Sequence, residues 1–349
     1  MKNILLTGGA GFIGSHTSLA LLEKGYSVFV IDSFENSSPK MLKRVKEIFK
    51  KKHQKLSLNL KIFKGDLRDK FFLEEVFSIV SKYKKIDGVI HFAGLKSVAE
   101  SINKPLLYWE NNVIGTVNLL DIMNSYGCRN FVFSSSATVY KERNNYPFKE
   151  NSPIQPKTPY GKTKACVEIL LEDLFNSHIN KSKFASLRYF NPIGAHESGL
   201  IGENPVGGAN NIFPIISDTA MGFQRKLEIY GDDWPTKDGT AIRDYIHVMD
   251  LAEAHIKVLE HLFNIDSACL YLNIGTGIGT TVLDLVKTFE KVNNVKVPYF
   301  FKQRRIGDTA YLVADNSLSV SKLNIAPLRS LSEMCRDGWK WKKMNPFGI

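Results

Sequence analysis

Short runs of β-branched and apolar residues recur through the first half of the chain. Between them, apolar residues return every three or four positions over longer stretches. The short runs are Ile4–Thr7, Val28–Asp32, Leu60–Phe63, Gly88–Phe92, Phe131–Ser134 and Ala185–Tyr189, and they read as strands. The periodic stretches, among them Ile13–Lys24, Phe71–Tyr83 and Thr116–Tyr126, read as helices. Alternation of this kind predicts an α/β fold built on a doubly wound parallel sheet, with function at the C-terminal strand ends. From Asn191 to Pro214 the pattern loosens and becomes rich in Gly, Pro and Asn, as expected of a loop-rich smaller lobe. Apolar patterning resumes over Ile242–Glu260 and predicts a return to the main sheet. The expected division is therefore a domain over 1–190, joined by 242–262, and a lobe over 191–349. No internal repeat or low-complexity tract interrupts it.

The turn after the first strand reads Gly8-Gly9-Ala10-Gly11-Phe12-Ile13-Gly14 and opens a helix. Gly8, Gly11 and Gly14 give the spacing GxxGxxG, not the commoner GxGxxG. The physical demand is shared: a tight turn, close approach of backbone to a pyrophosphate, and a helix N-terminus aimed at negative charge. Alone, such a turn is as well explained by packing. Its context adds weight, because the next strand ends in Asp32, where a carboxylate binds ribose hydroxyls. That charge repels a 2′-phosphate, and the next arginine is Arg44, so NAD is favoured over NADP. Gly65-Asp66-Leu67 and Phe92-Ala93-Gly94 follow the third and fourth strands. Asp66 reads either as an adenine contact or as a plain helix N-cap.

A run of serines, Ser134-Ser135-Ser136, closes the fifth strand, and Pro159-Tyr160-Gly161-Lys162-Thr163-Lys164 opens a later helix. Tyr160 and Lys164 stand four residues apart, on one helical face. The spacing alone arises by chance in many helices; with the glycine turn and a serine at the strand end, chance explains it poorly. Removing a hydride from a secondary alcohol requires a base for the hydroxyl proton. A free tyrosine titrates near about 10, too high for neutral pH. A cation about 5 Å away, at an effective dielectric of roughly 20, supplies about 3 kcal/mol, or about two pKa units. Lys164 and a positive nicotinamide ring together are expected to bring Tyr160 toward working pH, with Ser136 holding the same substrate oxygen.

With these residues in place, the chain resembles the extended short-chain dehydrogenase/reductases, and within them the UDP-glucose 4-epimerase family. The finer resemblance lies in Phe92-Ala93-Gly94-Leu95-Lys96, Asn111-Asn112, Ser134–Tyr140, Leu187–Pro192, Gly239–Asp250 and Arg304–Asp308, so it extends over almost the whole chain. It implies a Rossmann-type domain with bound NAD and reversible 4-epimerisation of a UDP-hexose through a 4-keto intermediate. It implies NAD contacts from Phe12, Ile13, Asp32, Ser33, Phe34, Glu35, Asn36, Ser37, Asp66, Leu67, Phe92, Ala93, Gly94, Leu95, Lys96, Asn111, Lys164 and Phe190. Nucleotide-sugar contacts would come from Ser136, Tyr160, Asn191, Asn211, Ile212, Glu228, Ile229, Tyr230, Arg243, Arg305 and Asp308. Leu312 aligns with the wall of the sugar pocket near C2. A bulky Tyr there accompanies restriction to plain hexoses, and smaller residues accompany use of N-acetyl forms. The resemblance also implies a homodimer. Arg243 and Arg305 make independent sense, since a diphosphate needs rigid cationic forks. His247 sits in an apolar run and reads as structural. Two departures from the family, Lys141 after Val139-Tyr140 and a longer segment around Lys40–Lys55, touch none of this chemistry.

Two rivals share the fold. Nucleotide-sugar 4,6-dehydratases resemble this chain but carry an acidic pair after the strand Ser/Thr. Here the segment is Ser136-Ala137-Thr138, without a carboxylate. A silent NAD-sensing protein has no need of the Tyr160/Lys164 pair, which this chain has.

Charge refines the picture little. The 349 residues carry a formal +11, and the segment Lys40–Lys55 supplies +7 of it, with Glu47 its one acid. Its one Phe, Tyr or Trp, Phe49, makes no interleaved array for base stacking, so a solvated helix face is expected rather than nucleic acid. The start of the sequence shows no apolar leader, and no run is long enough to span a bilayer. Cys128, Cys166, Cys269 and Cys335 are far apart, which predicts reduced thiols, no metal site and a cytoplasmic setting.

Overall fold

The computed structural model describes every residue except 55, 56, 83, 143–146, 178–180, 206, 210, 306 and 307. Lys55, Tyr83, Ile306 and Gly307, which figure in the expectations above, lie outside the described residues. The chain starts as β1 (Asn3–Thr7), α1 (Phe12–Glu23), β2 (Ser27–Asp32), α2 (Pro39–Lys52), β3 (Leu60–Lys64), α3 (Lys70–Ser81) and β4 (Gly88–His91). Next come α4 (Val98–Asn103), α5 (Pro105–Trp109), a π-helical turn (Glu110–Ile114), α6 (Gly115–Ser125), β5 (Asn130–Ser136), α7 (Pro159–Asn176) and β6 (Lys183–Tyr189). After β7 (Asn191–Ile193), α8 (Ile212–Ala220), β8 (Leu227–Tyr230) and β9 (Ile242–His247), the chain continues through α9 (Val248–Phe263) and β10 (Ala268–Ile274). It ends with β11 (Gly279–Thr281), α10 (Val282–Asn293), β12 (Tyr299–Lys302), β13 (Tyr311–Leu312), α11 (Ser317–Leu323) and α12 (Leu331–Met344).

Two compact units result. The first comprises 1–141, 153–188 and 252–272; the second comprises 142–152, 189–251 and 273–349. In the first, seven strands lie in the order β3-β2-β1-β4-β5-β6-β10. β1 pairs in parallel with both β2 and β4, so the winding reverses between β1 and β4, at the ends of which the glycine turn and Phe92–Gly94 emerge. This is the doubly wound, Rossmann-type sheet expected. One face is sealed by Leu73 and Phe77 of α3, Leu119 and Met123 of α6, and Val167 and Leu171 of α7, over Leu5, Val89, Phe131 and Phe133. Burial of each such side chain contributes roughly 1.5–3 kcal/mol.

α1 is unusual in burying nine consecutive residues, Gly14 to Leu22. Its polar members are satisfied by the helix and by the turn before it, where Gly9 O accepts from Ser18 Oγ at 3.4 Å. Ser15 Oγ donates to Phe12 O at 3.1 Å, His16 Nδ1 to Phe12 O at 2.6 Å and Thr17 Oγ1 to Ile13 O at 3.0 Å. α2, the basic helix, is amphipathic: Met41, Leu42, Val45, Ile48 and Phe49 are buried, while lysines occupy the outer face. The solvated-face reading holds for its described residues.

The expected return of Ile242–Glu260 to the main sheet needs correction. β9 does not join it; it pairs with β7, β11 and β13 in the second unit. Its apolar pattern announces a buried strand, but pattern cannot say which sheet buries it. The main sheet is rejoined through the later turns of α9 and through β10, a strand the pattern did not announce. In the second unit a parallel ribbon, β8 with β12, accompanies the β9 sheet. Phe213, Ile216, Tyr245, Leu285, Phe289, Met334 and Trp339 form its core. Buried Asp244 stitches this unit together, accepting from Thr276 N and Oγ1, Gly277 N and Ala314 N. Among the described residues no helix is long and apolar enough to cross a membrane, and no cluster of His, Cys, Asp and Glu could hold a metal.

Candidate active site

The glycine turn builds a cradle. Gly8 has φ of +69°, a left-handed value that favours glycine, and a Cβ there would lie 2.7 Å from Ala93 N. A Cβ on Gly14 would lie 2.3 Å from Gly8 O, so the helix start rests directly on the turn. No side chain caps the N-terminus of α1, which leaves its first N–H groups available to an anion. Asp32 accepts from Ala10 N through Oδ2 at 2.8 Å, and from Phe34 N and Ser37 Oγ through Oδ1 at 2.9 and 2.8 Å. Its Oδ2 retains capacity for another donor such as a ribose hydroxyl. The cradle, uncapped helix and oriented carboxylate fit a dinucleotide.

Asp66 is not a helix cap: Asp69 caps α3, accepting from Phe72 N at 3.0 Å. Asp66 instead grips Arg68, whose Nε lies 3.0–3.1 Å from its carboxylate oxygens, and this pair holds the Asp66 carboxyl below its ordinary range. Leu67, Leu95 and Phe190 are buried. Lys96 is exposed, and Asn111 donates to Leu107 O at 2.9 Å.

Asn112, beside Asn111, does more than sequence reasoning asked of it. From the π-helical turn it exchanges both amide hydrogen bonds with the Leu95 backbone and donates to Thr163 Oγ1 at 3.2 Å. Thr163 Oγ1 in turn donates to Tyr160 O. His91 joins the same buried network. Thr116 Oγ1 donates to Asn112 O, so it accepts from His91 Nε2, and His91 Nδ1 accepts from Thr7 Oγ1 at 2.6 Å. Burial pushes His91 down to about 3, so it stays neutral. The signal available was a histidine ending an apolar strand and a paired Asn inside a helical run.

Tyr160 and Lys164 lie in the first turns of α7, whose N-cap Thr158 accepts from Gly161 N. Lys164 Nζ donates to Ser134 O at 2.7 Å and lies 5.9 Å from the Tyr160 ring centre. The Ser136 hydroxyl, which accepts from Thr138 N and Oγ1, lies beside Tyr160. Burial pulls Lys164 down to about 8, against the opposing charge of Glu168. The expected lowering of Tyr160 is not produced by the chain alone. Burial pushes its hydroxyl up, and the neighbouring Ser136 hydroxyl works the other way.

The remaining expected residues gather in the second unit. Arg243 on β9 is held by Asp308 at 2.7 Å and by Ile242 O and Thr309 O, both at 2.9 Å. Asp308 thus orients the arginine. Arg305 stacks over Tyr230, 3.7 Å from the ring centre, and Tyr230 donates to Glu228 Oε2. Ile229 is buried between them in β8. Leu312 is the register partner of Arg243. Asn211 precedes α8, which Ile212 begins, and donates to Glu203 rather than capping the helix. Asn191 Oδ1 is buried with no hydrogen-bond partner among the described residues. His247 is buried, accepts from Met249 N and lies 3.4 Å from Asp337.

A family model described as GDP-mannose 4,6 dehydratase matches residues 5–338. A UDP-glucose 4-epimerase of Arabidopsis thaliana is 48% identical over 99% of this chain and 97% of that protein. The chain belongs to the UDP-glucose 4-epimerase family. The fold agrees with this membership. The epimerase of Stenotrophomonas maltophila, solved with NAD and formylated UDP-arabinopyranose, has a TM-score of 0.93 and 41% identity, covering 99% of this chain and 98% of that one. The epimerase of Bifidobacterium longum, solved with NAD+ and UDP, has a TM-score of 0.91 and 41% identity, with 100% of each chain covered. Within the family, the absence of a carboxylate from Ser136-Ala137-Thr138 separates this chain from the dehydratase chemistry after which the broader model is described.

Proposed function

We propose that the chain is an NAD-dependent isomerase that interconverts UDP-hexoses at C4, as in galactose metabolism. One observation carries this reading: Lys164 stands 5.9 Å from the Tyr160 ring centre and bonds the Ser134 carbonyl at the end of β5, two residues from Ser136, in the unit that holds the glycine cradle. Tyr160 removes the proton of the 4-hydroxyl, Ser136 holds that oxygen, and Lys164 favours the tyrosinate. When bound, NAD supplies reversible two-electron chemistry at C4. Arg243 and Arg305 anchor the diphosphate, and the orphan Asn191 Oδ1 is available to a substrate hydroxyl. Purified protein should convert UDP-galactose to UDP-glucose without added cofactor; no conversion by NAD-loaded protein would sink the reading.

Because such a cofactor is regenerated every turnover, it has no need to leave. Protein purified without added NAD should release NAD on denaturation, and Asp32→Gly should weaken NAD more than NADP. Protein that is consistently empty yet active only in excess NAD would contradict a resident cofactor.

Substrate range rests on Leu312. It lacks the ring and hydroxyl that would fill the space of an acetamido group, so the reading includes UDP-N-acetylgalactosamine as a substrate. Leu312→Tyr should suppress turnover of the N-acetyl sugar and spare UDP-galactose. Wild-type protein inert toward the N-acetyl sugar would show that other residues close the pocket.

A homodimer completes the reading. Ile102 on α4, Leu106 and Trp109 on α5, Val117 on α6 and Ile169 on α7 are exposed apolar side chains, Leu106 at 77%. Such a concentration on adjacent helices marks an association surface. Sedimentation equilibrium should give a dimer, and Leu106→Lys with Ile169→Lys a monomer; an unchanged mass would move the interface elsewhere. The four cysteines are free thiols, which supports a cytoplasmic setting.

A further inference from the structure

The three serines that close β5 each meet a different turn of α7. Ser134 offers its carbonyl to Lys164 Nζ at 2.7 Å, Ser135 donates its hydroxyl to Glu168 Oε1 at 2.5 Å, and Ser136 neighbours Tyr160. Residues 160, 164 and 168 recur every fourth position and so share one face of the helix. Glu168 is fully enclosed, and Arg188 on β6 grips it as a fork, Nε to Oε1 at 2.9 Å and Nη2 to Oε2 at 2.6 Å. Arg188 donates to Tyr140 Oη at 3.2 Å and stands 4.8–5.1 Å from the Tyr140 and Tyr271 ring centres. We propose that Ser135 and Glu168 are positioning residues for proton transfer, fixing α7 on the strand end and holding Lys164 as an ammonium. This rests on the reading of Tyr160 and Lys164 as the proton-transfer pair.

The reason is electrostatic. One turn from Lys164 along the helix, Glu168 places a carboxylate between two buried cations. Among the described residues, Glu168 is the carboxylate that bears on Lys164, while Tyr160 on its own helix is neutral when protonated and His91 on β4 is neutral. Around Glu168 stand Ser135, Arg188, Tyr271 and Cys269; Glu172, a turn beyond, is engaged by the Tyr271 hydroxyl at 3.2 Å. Burial draws Lys164 toward its neutral form and Glu168 opposes it. Without that carboxylate, the positive charge of Arg188 still stands nearby while the opposing negative charge is gone, and the ammonium must lose its proton at lower pH. The alkaline limb of activity then moves toward acid.

The test compares wild type, Glu168→Gln, Ser135→Ala and Tyr160→Phe as NAD-loaded proteins, measuring kcat and KM for UDP-galactose across pH. For Glu168→Gln the alkaline limb of kcat should move down by about one pH unit or more, the scale of a charge one helical turn away. KM should stay within twofold of wild type. Ser135→Ala leaves both charges paired; its kcat should fall about tenfold with KM unchanged, the scale of a small misplacement of the reacting groups. If Glu168→Gln fails to fold, Ser135→Ala decides. An unmoved limb in a folded Glu168→Gln, or wild-type kcat in Ser135→Ala, overturns the inference. Should Tyr160→Phe itself remain active, the underlying reading fails instead, so the two failures are distinguishable.

Discussion

Replacing Tyr160 by Phe should lower turnover by roughly 10²–10⁴-fold, the usual scale for removing a general base. The fold and the bound cofactor should survive. Only a hydroxyl is lost, the ring keeps its place, and the backbone carbonyl of Tyr160 still accepts from Thr163. Ser136 retains Thr138 N as a donor to its oxygen, so no buried group is orphaned. KM should change little, because the nucleotide anchor resides on other residues. Steady-state kinetics together with NAD released on denaturation check this. A variant with normal turnover would remove Tyr160 from the chemistry, and one devoid of NAD would make it structural.

The second large effect is expected at Gly14. An added methyl would stand 2.3 Å from Gly8 O and 2.7 Å from Gly9 Cα, both backbone atoms that no side-chain rotation can clear. Either α1 or the turn must shift, and both are walled in. Gly14→Ala should therefore release its NAD during purification and lose about 1–3 kcal/mol of stability through overpacking. Displacing the cofactor by even 1 Å is worth roughly 10²-fold in turnover. Gly11→Ala provides the internal comparison, since its methyl would meet Gly8 O at 3.3 Å and asks for a far smaller adjustment. Thermal melts and cofactor content measured side by side should rank Gly14 well below Gly11. Equal NAD content in the two variants would show that the close approach at Gly14 is dispensable.

What the sequence disclosed follows from which interactions are local. Strands β1 to β6 were legible because each is a short apolar run bounded by polar residues, and the glycine turn because its glycines lie within one turn of chain. β10 escaped notice: Cys269, Leu270 and Tyr271 are only partly covered, so its pattern is weak. β9 fell in a stretch expected to rejoin the main sheet and joins a second one, since partners at long range decide that. The site divides the same way. Tyr160 and Lys164 sit four apart and announced themselves. The bonds of Thr7 to His91, Ser135 to Glu168 and Arg188 to Glu168 join residues remote in sequence, and no spacing rule reaches them. Asp66 shows the reverse hazard: a local rule offered it as a cap, and Asp69, three residues on, takes that part.

The enclosure of α1 bears on how long a ligand stays. A helix whose serine, histidine and threonine side chains all bond to carbonyls of the helix or of the turn before it, and whose residues from Gly14 to Leu22 are covered, has little motion left to surrender. An anion arriving at its N-terminus orders almost nothing that was loose before, so little of the binding free energy is consumed in stiffening the protein. Departure gains correspondingly little from relaxation of the chain. The residence time of a dinucleotide would then be set by its own contacts with the cradle, with the scaffold beneath acting as a fixed seat.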